Sequence, residues 1–507
     1  MIRNVDIGSI EKWRTAEVIC AGRSEGNPYT DCSITGYFKS FHEEKTVSGF
    51  YDGEGRYKVR FLPSFEEEYS FEIKGSFSED IYQGSFRVIS PSGNNHGMVR
   101  VAAGYHFAYS DGTSFYPFGT TCYVWQLQDG KLQKQTLETL GKGYFNKVRF
   151  CIFPKHYDYN FHEPVTYPYI GTPCDSSGIT RENFMEFNGK APGNDFDCSC
   201  FDAVHFRNLD RAVQILDAMG IEADLILMHP YDRWGFSMMT REQDELYLKY
   251  VTARYSAYKN VWWSLANEYD LMKDKTTADW ETFARIICEN DPYNHLRSIH
   301  NCGPFYDQSA PWITHCCLQR QDRFRTSEYT DEWRRRFGKP VIIDEIAYEG
   351  NIQHGWGNIG GRELVRRYWE AICRGGYVGH GETFLDEKDI LWWSHGGILK
   401  GESPERIKFA REILEGLSAA GLAPAKFAWD ETAACEESSL PVKSCYLFYY
   451  GFQRPSFREY YIDGKTRYRA ELIDTWEMTR KEVGIFTGKF RVEMPGREYM
   501  LVLLTRC

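Results

Sequence analysis

The sequence predicts an α/β protein, a (β/α)8 TIM-type barrel flanked by two smaller all-β domains. Residues 1–97 and 419–507 alternate apolar and polar residues in short runs interrupted by Gly, Pro, Asn and Asp, as in antiparallel sandwiches. Between them, residues 98–418 alternate short apolar strands with longer amphipathic helices, which is typical of a parallel β/α barrel. The length of 507 residues is also too great for a single hydrophobic core.

The two end segments are predicted to be β-sandwich domains. In the first, runs such as "AEVICAG", "KTVSGFYDG" and "YSFEIKGS" have the two-residue period of a half-buried strand. The turn-rich stretch "PSGNNHG" at 91–97 then marks a boundary. After "IKFAREILEGL" at 407–417 the short strands return, in "KSCYLFYYGF", "YRAELIDTW" and "EYMLVLLT".

The central segment supplies eight candidate strands with helices between them. The helix predicted over 201–220 places Phe206, Leu209, Val213 and Leu216 at helical spacing and ends at Gly220. A doubly wound open sheet is the competing fold, but no G-x-G-x-x-G loop follows the first strand. The strand candidates are 115–119, 145–153, 221–230, 260–268, 296–301, 312–317, 340–345 and 376–382.

The composition disfavours several classes of function. The chain has 60 basic and 71 acidic residues, a net charge of −11 and no long basic run, so we expect neither nucleic acid nor a membrane surface as a partner. No run of about 18 apolar residues predicts a membrane span. The first residues also lack the apolar segment of a secretory signal, so we expect a cytoplasmic protein.

Cysteine usage agrees with a reducing compartment. Fifteen Cys residues, including the neighbours Cys316 and Cys317, lack the spacing of a small disulfide framework. Cys174, Cys198 and Cys200 lie close in sequence, but they lack the paired C-x-x-C spacing of a zinc site. We therefore predict no metal and no cofactor.

Two acidic residues follow predicted strands at the point where each strand ends. In "NVWWSLANEYD" at 260–270 the apolar run is followed by Asn267 and Glu268. In "KPVIIDEIAYEG" at 339–350 the apolar run is followed by Asp344 and Glu345. In such a barrel, catalytic side chains come from the C-terminal ends of strands. Cleavage of a glycosidic bond needs one carboxyl group to protonate the leaving oxygen and a second to attack the anomeric carbon or activate water. We therefore predict that Glu268 and Glu345 form a catalytic pair and that Asp344, which points the other way in a strand, is structural.

With these residues the barrel resembles clan A of the glycoside hydrolases, whose acid/base Glu follows an Asn on strand four and whose nucleophilic Glu ends strand seven. The resemblance implies that Glu268 is the acid/base and Glu345 the nucleophile. It further implies retention of configuration through a covalent glycosyl-enzyme, with the two carboxyl groups roughly 5 Å apart. Asn267 is then expected to bind the sugar hydroxyl next to the reacting carbon.

The same resemblance extends to three further positions. Arg149 in "NKVRF" matches the strand-two Arg of the clan, and it would keep Glu345 ionised. His229, after strand three, matches a polar residue that the clan often has there. His315 in "WITHCC" takes the place of a His or Tyr on strand six, but the usual aromatic residue two positions later is missing.

Several other side chains are predicted to contact substrate because they lie near the expected mouth of the barrel. The stacking Trp that the clan has after strand eight is absent from "GHGETF", and Trp392 or Trp393 from the following loop could replace it. The long aromatic segment 154–200 could cap the cleft, which would favour attack on chain ends or short oligosaccharides. The predicted contacts are Trp125, Tyr231, Trp234, His300, Glu382 and Trp392.

Nearly the whole chain also resembles a bacterial group associated with glycan degradation, through motifs such as "NPYTD", "FGTTCYVW" and "LIDTWEMT". The leading hypothesis is a retaining glycosidase that acts on β-linked oligosaccharides, with a glycan fragment as its partner and homo-oligomerisation left open. A transglycosylase using the same residues, a non-catalytic carbohydrate-binding protein and a metal-dependent barrel lyase are the alternatives. The presence of both carboxylates disfavours the binding protein. The lyase would need several carboxylate or His ligands that converge on one ion.

Overall fold

The computed structural model describes residues 1–320 and 322–507. Its N-terminal region is all-β apart from one short helix. One sheet has the strand order β1-β9-β8-β4-β5, with β2 also on β9, and a second sheet has the order β3-β7-β6. The elements are β1 (Ile2–Asn4), β2 (Ser9–Glu11), β3 (Ala16–Ala21), α1 (Pro28–Asp31), β4 (Ile34–Lys39), β5 (Glu44–Ser48), β6 (Phe50–Tyr51), β7 (Arg56–Phe61), β8 (Glu68–Gly75) and β9 (Ile81–Ile89).

Buried and exposed side chains alternate along these strands, and the buried ones form the N-terminal core. In β4, Ile34 and Phe38 are buried while Thr35, Tyr37 and Lys39 are exposed. This is the pattern of a strand with one face on a core. Phe38 stacks on Phe61 with ring centroids 4.3 Å apart and nearly parallel planes, so the inward faces of the two sheets share one apolar core.

The central region contains an eight-stranded parallel sheet that forms a nearly closed barrel. The strand order is β19-β18-β17-β14-β13-β23-β21-β20, and an isolated bridge pairs His300, two residues after the end of β19, with Cys317 of β20. The strands of the region are β10 (Val99–Ala102), β11 (His106–Tyr109), β12 (Ser114–Phe115), β13 (Gly119–Thr121), β14 (Lys147–Cys151), β15 (Tyr169–Thr172), β16 (Asp195–Phe201), β17 (Glu222–Met228), β18 (Val261–Ala266), β19 (Arg297–Ser298), β20 (Cys316–Gln319), β21 (Val341–Glu345), β22 (Glu349–Gly350), β23 (Tyr377–His380) and β24 (Glu382–Thr383).

The predicted fold class is confirmed, with differences at two strands. Residues 114–115 pair antiparallel in a separate sheet, β10-β11-β12, and the first barrel strand begins at Gly119. Pro117 lies between the two strands, and a residue without an N–H cannot continue a central strand. The sixth strand is Cys316–Gln319, later than the predicted range 312–317.

Helices follow most barrel strands. Two of them begin with a capping box, Thr240 with Gln243 in α4 and Thr276 with Asp279 in α5, which satisfies backbone N–H groups of the first turn. The described segment 299–315, between β19 and β20, carries no helix. The helices are α2 (Gly130–Leu140), α3 (Ala203–Ala218), α4 (Arg241–Tyr255), α5 (Thr277–Asn290), α6 (Thr330–Phe337), α7 (Gly361–Ile372), α8 (Trp392–His395) and α9 (Ser403–Glu415).

The C-terminal region returns to antiparallel strands. A six-stranded sheet has the order β25-β26-β27-β32-β29-β30, and β28 pairs with β31. Phe448, Tyr460, Phe490 and Val502 contribute to one buried core between them. The strands are β25 (Leu422–Ala425), β26 (Thr432–Glu436), β27 (Cys445–Tyr450), β28 (Phe457–Tyr461), β29 (Tyr468–Asp474), β30 (Thr479–Phe486), β31 (Lys489–Glu493) and β32 (Met500–Arg506).

The described chain divides into two compact units. The first unit contains Met1–Val99, Tyr123–Gln133 and Arg149–Ile299, and the second contains Arg100–Cys122, Lys134–Val148 and His300–Cys507. The division passes through the barrel sheet. Glu268 therefore belongs to the first unit and Glu345 to the second.

A buried ion network joins the N-terminal strands to the barrel helices within the first unit. Asp210 on α3 accepts hydrogen bonds from Arg60 on β7 at 2.7 and 3.2 Å and from Arg254 on α4 at 2.7 and 2.9 Å. Asp52 accepts from Arg254 at 2.8 Å. Burial alone would raise the pKa of Asp210, but the two guanidinium groups lower it to about 2.

Asp210→Asn is expected to lower the free energy of unfolding of the first unit by about 3 kcal/mol, because it leaves two buried guanidinium groups with less compensating charge. Urea denaturation followed by tryptophan fluorescence measures the change. The control is Glu289→Gln, which breaks an exposed ion pair with Arg285 and should change stability by less than about 0.5 kcal/mol. Equal effects of the two variants would contradict a stabilising network.

Candidate active site

The strand that carries Glu268 is fully buried until the chain turns. All residues of β18 are buried, as expected for a parallel strand covered on both faces. Asn267 still donates its backbone N–H to Met228 of β17 at 2.9 Å. At Glu268 the backbone becomes left-handed, with φ of 51°. A glutamate there costs on the order of 1 kcal/mol, and such strain concentrates at functional sites.

Asn267 is held in one orientation by two donors. Its Oδ1 accepts a hydrogen bond from the Arg149 guanidinium at 2.8 Å and another from the Tyr123 hydroxyl at 3.4 Å. The amide nitrogen then points to Glu268, with Nδ2 3.3 Å from Oε2. In this unit Arg149 therefore orients Asn267. Its predicted influence on the ionisation of Glu345 stays a prediction.

Tyr231 is a direct partner of Glu268. Its hydroxyl donates a hydrogen bond to Oε2 of Glu268. The amide of Asn267 donates to the same oxygen. Two donors on Oε2 disfavour a proton on that atom, so a protonated carboxyl group would carry its hydrogen on Oε1. The structure thus brings together Glu268, Asn267, Arg149 and Tyr231, four of the residues selected from the sequence.

Lys155 is a residue of this region that the sequence reasoning missed. Its ammonium group lies 3.5 Å from the ring centroid of Tyr123, 4.2 Å from that of Tyr231 and 5.7 Å from that of Tyr157. A cation at these distances is attracted by the ring faces, so Lys155 fixes the two tyrosines that contact Asn267 and Glu268. The available signal was a Lys among aromatic residues, "PKHYDY", directly after strand two.

His229 lies behind Tyr231. Its Nε2 is 3.4 Å from the carbonyl oxygen of Phe153, and its ring is 6.4 Å from that of Tyr231. Burial and the charge of Lys155 lower the pKa of His229 to about 3, so the ring is neutral near pH 7. With 3% of its surface exposed, His229 supports Tyr231. A direct contact between His229 and substrate stays a prediction.

Two of the predicted sugar contacts in the first unit are buried. Trp125 is 1% exposed and Trp234 is 2% exposed. Trp125 packs on Phe150 of β14 with ring centroids 5.9 Å apart, and the guanidinium of Arg233 lies 4.8 Å from the ring centroid of Trp234. Because other side chains cover these rings, neither presents a face to a sugar.

The long segment after strand two is packed, and one of its side chains lies beside Tyr231. His156 Nε2 is 2.8 Å from the carbonyl oxygen of Phe184, which ties the start of the segment to its later part. Tyr157 is partly exposed, with its ring centroid 4.8 Å from that of Tyr231. The segment therefore contributes an aromatic face next to the partner of Glu268.

Glu345 ends the seventh strand at an irregularity. Cys317 on β20 pairs with Ile342, but the next pair is Gln319 with Glu345, so β21 contains one extra residue. A bulge of this kind re-aims the side chains that follow it and is common beside active sites. The Glu345 side chain keeps 12% of its surface exposed, whereas Asp344 is buried.

His300 lies beside Glu345, with Nε2 3.7 Å from Oε1 of the carboxylate. On the other side of the ring, Nδ1 is 3.2 Å from Sγ of Cys317. The ring is fully buried. Of the residues selected from the sequence in the second unit, Glu345 and His300 are the two that the structure brings together.

Asp344 has a structural partner in the barrel interior. It accepts a hydrogen bond from Nζ of Lys147 at 2.8 Å, and both side chains are buried. The neighbouring strand approaches closely, because a Cβ at Gly379 would lie 2.5 Å from the carbonyl oxygen of Asp344. A glycine is required there, and this ion pair supports the strand that carries Glu345.

The expectation that His315 lies at the mouth of the barrel is wrong. β20 begins at Cys316, whose N–H donates to Pro340 at the start of β21. His315 is therefore at the N-terminal end of its strand, whereas Glu345 is at the C-terminal end of the neighbouring one. The ring lies 5.8 Å from that of Phe107, and burial lowers the pKa of His315 to about 3.

Glu382 is also buried, and its carboxylate binds backbone amides. Its carboxylate oxygens accept the backbone N–H groups of Lys400 and Gly401 at 2.6 and 2.8 Å, and the residue is 1% exposed. Burial and the neighbouring Glu349 raise the pKa of Glu382 to about 7. Glu349 in turn accepts the N–H of Ser403 at the start of α9. The two carboxylates hold the segment before α9 in place.

Trp392 is buried, and a different tryptophan is accessible. Trp392 is 2% exposed and donates from Nε1 to Thr120 Oγ1 at 2.8 Å, so its indole N–H is used inside the barrel and its stacking role stays a prediction. Trp393 packs on Trp356, with ring centroids 5.0 Å apart, and His354 stacks on Trp356 at 5.6 Å. Trp356 is partly exposed. The sequence reasoning missed it, although "HGWGN" places it in the loop after strand seven.

Over residues 1–320 and 322–507, no group of three or more His, Cys, Asp or Glu side chains is arranged to hold a metal ion. In the same part of the chain, no helix combines the length and the apolar character needed to cross a bilayer.

Comparison with known proteins identifies the family. A family model described as "Apiosidase-like, catalytic domain" matches residues 102–397. Two domains of unknown function flank it, DUF5060 over 9–76 and DUF5605 over 429–505. No functionally curated protein matches the chain.

Solved structures agree with the family model. A candidate glycoside hydrolase from Bacteroides vulgatus is 34% identical, with a TM-score of 0.90 over 99% of this chain and 100% of that chain. A family 5 glycoside hydrolase from the same organism is 15% identical, with a TM-score of 0.58 over 81% of this chain and 93% of that chain, which supports the fold. The resemblance to clan A is therefore confirmed. The chain belongs to the family with an apiosidase-like catalytic domain and is a glycoside hydrolase of clan A-like fold.

Proposed function

We propose that the protein is a retaining enzyme that hydrolyses β-linked oligosaccharides by double displacement, with Glu345 as nucleophile and Glu268 as acid/base. The observation that carries the proposal is the pair of hydrogen bonds that Tyr231 and Asn267 donate to Oε2 of Glu268. Because Oε2 is occupied as an acceptor, the acidic proton of Glu268 is placed on Oε1. Glu345 ends another strand of the same parallel sheet, as the catalytic pair of such barrels does.

The first step forms a covalent intermediate. Glu268 gives its proton to the glycosidic oxygen while a carboxylate oxygen of Glu345 attacks the anomeric carbon, and the bond to the leaving oxygen breaks. The released product is an alcohol, and the sugar remains as an ester of Glu345. Asn267 keeps its orientation through Arg149 and Tyr123, and the second hydrogen of its amide NH2 can donate to the sugar hydroxyl beside the reacting carbon.

The second step reverses these roles. Glu268, now a carboxylate, accepts a proton from water while the water oxygen attacks the anomeric carbon and displaces Glu345. Two inversions restore the original configuration. Retention requires carboxyl groups roughly 5 Å apart, so the configuration of the product also tests the geometry of the pair.

The family description suggests which glycosides to examine first. An apiosidase-like domain points to terminal apiosyl residues, and Tyr157 beside Tyr231 supports a cleft limited to chain ends or short oligosaccharides. A panel of aryl β-glycosides that includes the apioside, followed by natural oligosaccharides, identifies the accepted sugar. Failure to hydrolyse any member, together with measurable sugar binding, would favour a carbohydrate-binding protein.

The mechanism is tested by the stereochemistry and by trapping the intermediate. Proton NMR of the first product formed from an accepted β-glycoside should show the β-anomer before mutarotation. A 2-deoxy-2-fluoro glycoside with an activated leaving group should inactivate the enzyme and add its glycosyl mass to the peptide that contains Glu345. An initial α-anomer, or a label on another peptide, would contradict the proposal.

A further inference from the structure

His300 connects the proposed nucleophile to a buried thiol. Its Nδ1 is 3.2 Å from Sγ of Cys317, and its Nε2 is 3.7 Å from Oε1 of Glu345. The backbones of His300 and Cys317 form a parallel bridge. The position of the ring is therefore set by the barrel sheet, and each ring nitrogen faces a different chemical group.

Cys317 and Glu345 require different hydrogen-bonding roles of the two imidazole nitrogens. A neutral histidine has one nitrogen that donates and one that accepts, and the bond made by one nitrogen decides the role of the other. A carboxylate such as that of Glu345 only accepts hydrogen bonds, whereas a neutral thiol can donate one. If Cys317 donates to Nδ1, the hydrogen of the ring must be on Nε2, directed at Glu345.

The opposite tautomer is unfavourable in this position. A hydrogen on Nδ1 would leave the lone pair of Nε2 facing the carboxylate oxygen, which repels it. A doubly protonated ring would gain the attraction of Glu345, but it would place a cation at a fully buried site and would leave no lone pair on Nδ1 to accept the thiol hydrogen of Cys317. The geometry therefore favours a single arrangement of the three side chains.

We propose that Cys317 and His300 are positioning residues, in which the thiol selects the Nε2–H tautomer and His300 presents that N–H to Glu345. The separation of 3.7 Å is longer than a hydrogen bond, and catalytic contacts of this kind often shorten in the substrate complex. The role of Glu345 as nucleophile rests on the proposed function, whereas the tautomer of His300 does not.

Nitrogen NMR of the full-length protein with 15N-labelled histidine tests the tautomer directly. The His300 signals are identified as those that His300→Gln removes. We expect Nδ1 to give the signal of an unprotonated nitrogen and Nε2 that of a protonated one. A protonated Nδ1 in the unmodified protein would overturn the proposal, whether or not any glycoside is hydrolysed.

Variants of the thiol separate its donor role from its packing. Cys317→Ala removes the donor and should allow part of the population to carry the ring hydrogen on Nδ1, whereas Cys317→Ser keeps a donor and should preserve the single tautomer. The control is Cys316→Ala, which removes an equally buried neighbouring thiol that points to the other face of the strand. A His300 spectrum that is the same in Cys317→Ala as in the unmodified protein would rule out selection by the thiol. If Cys317→Ala does not fold, the Cys317→Ser spectrum decides the point.

The same variants have a kinetic readout once a substrate is known. We expect Cys317→Ala to lower kcat/KM by about tenfold, the effect of weakening one hydrogen bond to a charged group. Cys317→Ser should recover most of that loss, and Cys316→Ala should have no comparable effect. Equal losses in all three variants would indicate packing alone and would contradict the positioning role.

Discussion

Glu345→Ala is expected to lower kcat on any accepted β-glycoside by at least about 10,000-fold, because it removes the group that forms the covalent intermediate. The residue is partly exposed at the end of its strand, so the fold should survive the change. Steady-state kinetics measure the loss, and circular dichroism with thermal unfolding checks the fold. Glu332→Ala, at an exposed position of α6, is the matched control and should keep normal activity.

Azide distinguishes a missing nucleophile from a damaged site. In Glu345→Ala, azide can enter the space left by the carboxylate and attack the anomeric carbon of an activated β-glycoside in one displacement, giving the α-glycosyl azide. Recovery of the rate together with that product would assign Glu345 as the nucleophile. Activity close to that of the unmodified enzyme without azide would refute the assignment.

Glu268→Ala is expected to affect substrates according to their leaving group. Loss of the general acid should cost about 100- to 10,000-fold on natural glycosides, whose departing alkoxide needs a proton. With a dinitrophenyl leaving group that needs no proton, the first step should be nearly unaffected. The measurement is a comparison of kcat/KM across aryl glycosides of different leaving-group acidity, in which the variant should show a much steeper dependence.

Azide also tests the role of Glu268 as the general base. Azide needs no deprotonation, so it should accelerate the breakdown of the glycosyl-enzyme in Glu268→Ala and give the β-glycosyl azide after two inversions. The opposite anomers expected from the two variants separate the two roles. An equal loss on activated and natural glycosides, with no response to azide, would count against Glu268 as the acid/base.

Prediction from sequence succeeded where the signal was local. The all-apolar strand that ends in Asn267 and Glu268, and the similar strand that ends in Glu345, are visible in a few consecutive residues. A buried parallel strand is a short apolar run, and a barrel carries its chemistry where such runs end. For the same reason the barrel and its two flanking β regions could be recognised from periodicity alone.

Prediction from sequence was weakest where the answer depended on distant residues. His315 was assigned to the wrong end of a four-residue strand, because the boundaries of short buried strands are the least certain feature of a sequence pattern. Trp125, Trp234 and Trp392 are aromatic residues near the correct strand ends. Whether an aromatic face is open to a sugar depends on which side chains cover it, and these residues are far apart in sequence.

Taken alone, the amino-acid sequence determined the order of strands and helices, the barrel class and the position of the two carboxylates where strands end, because each depends on residues that are neighbours along the chain. Only the tertiary structure decided which groups surround those carboxylates. Lys155 among its tyrosines, the bulge before Glu345 and the contact of His300 with Cys317 all depend on the packing of separate strands and loops. Packing also determined that Glu382 binds backbone amides and that Trp356 is partly exposed.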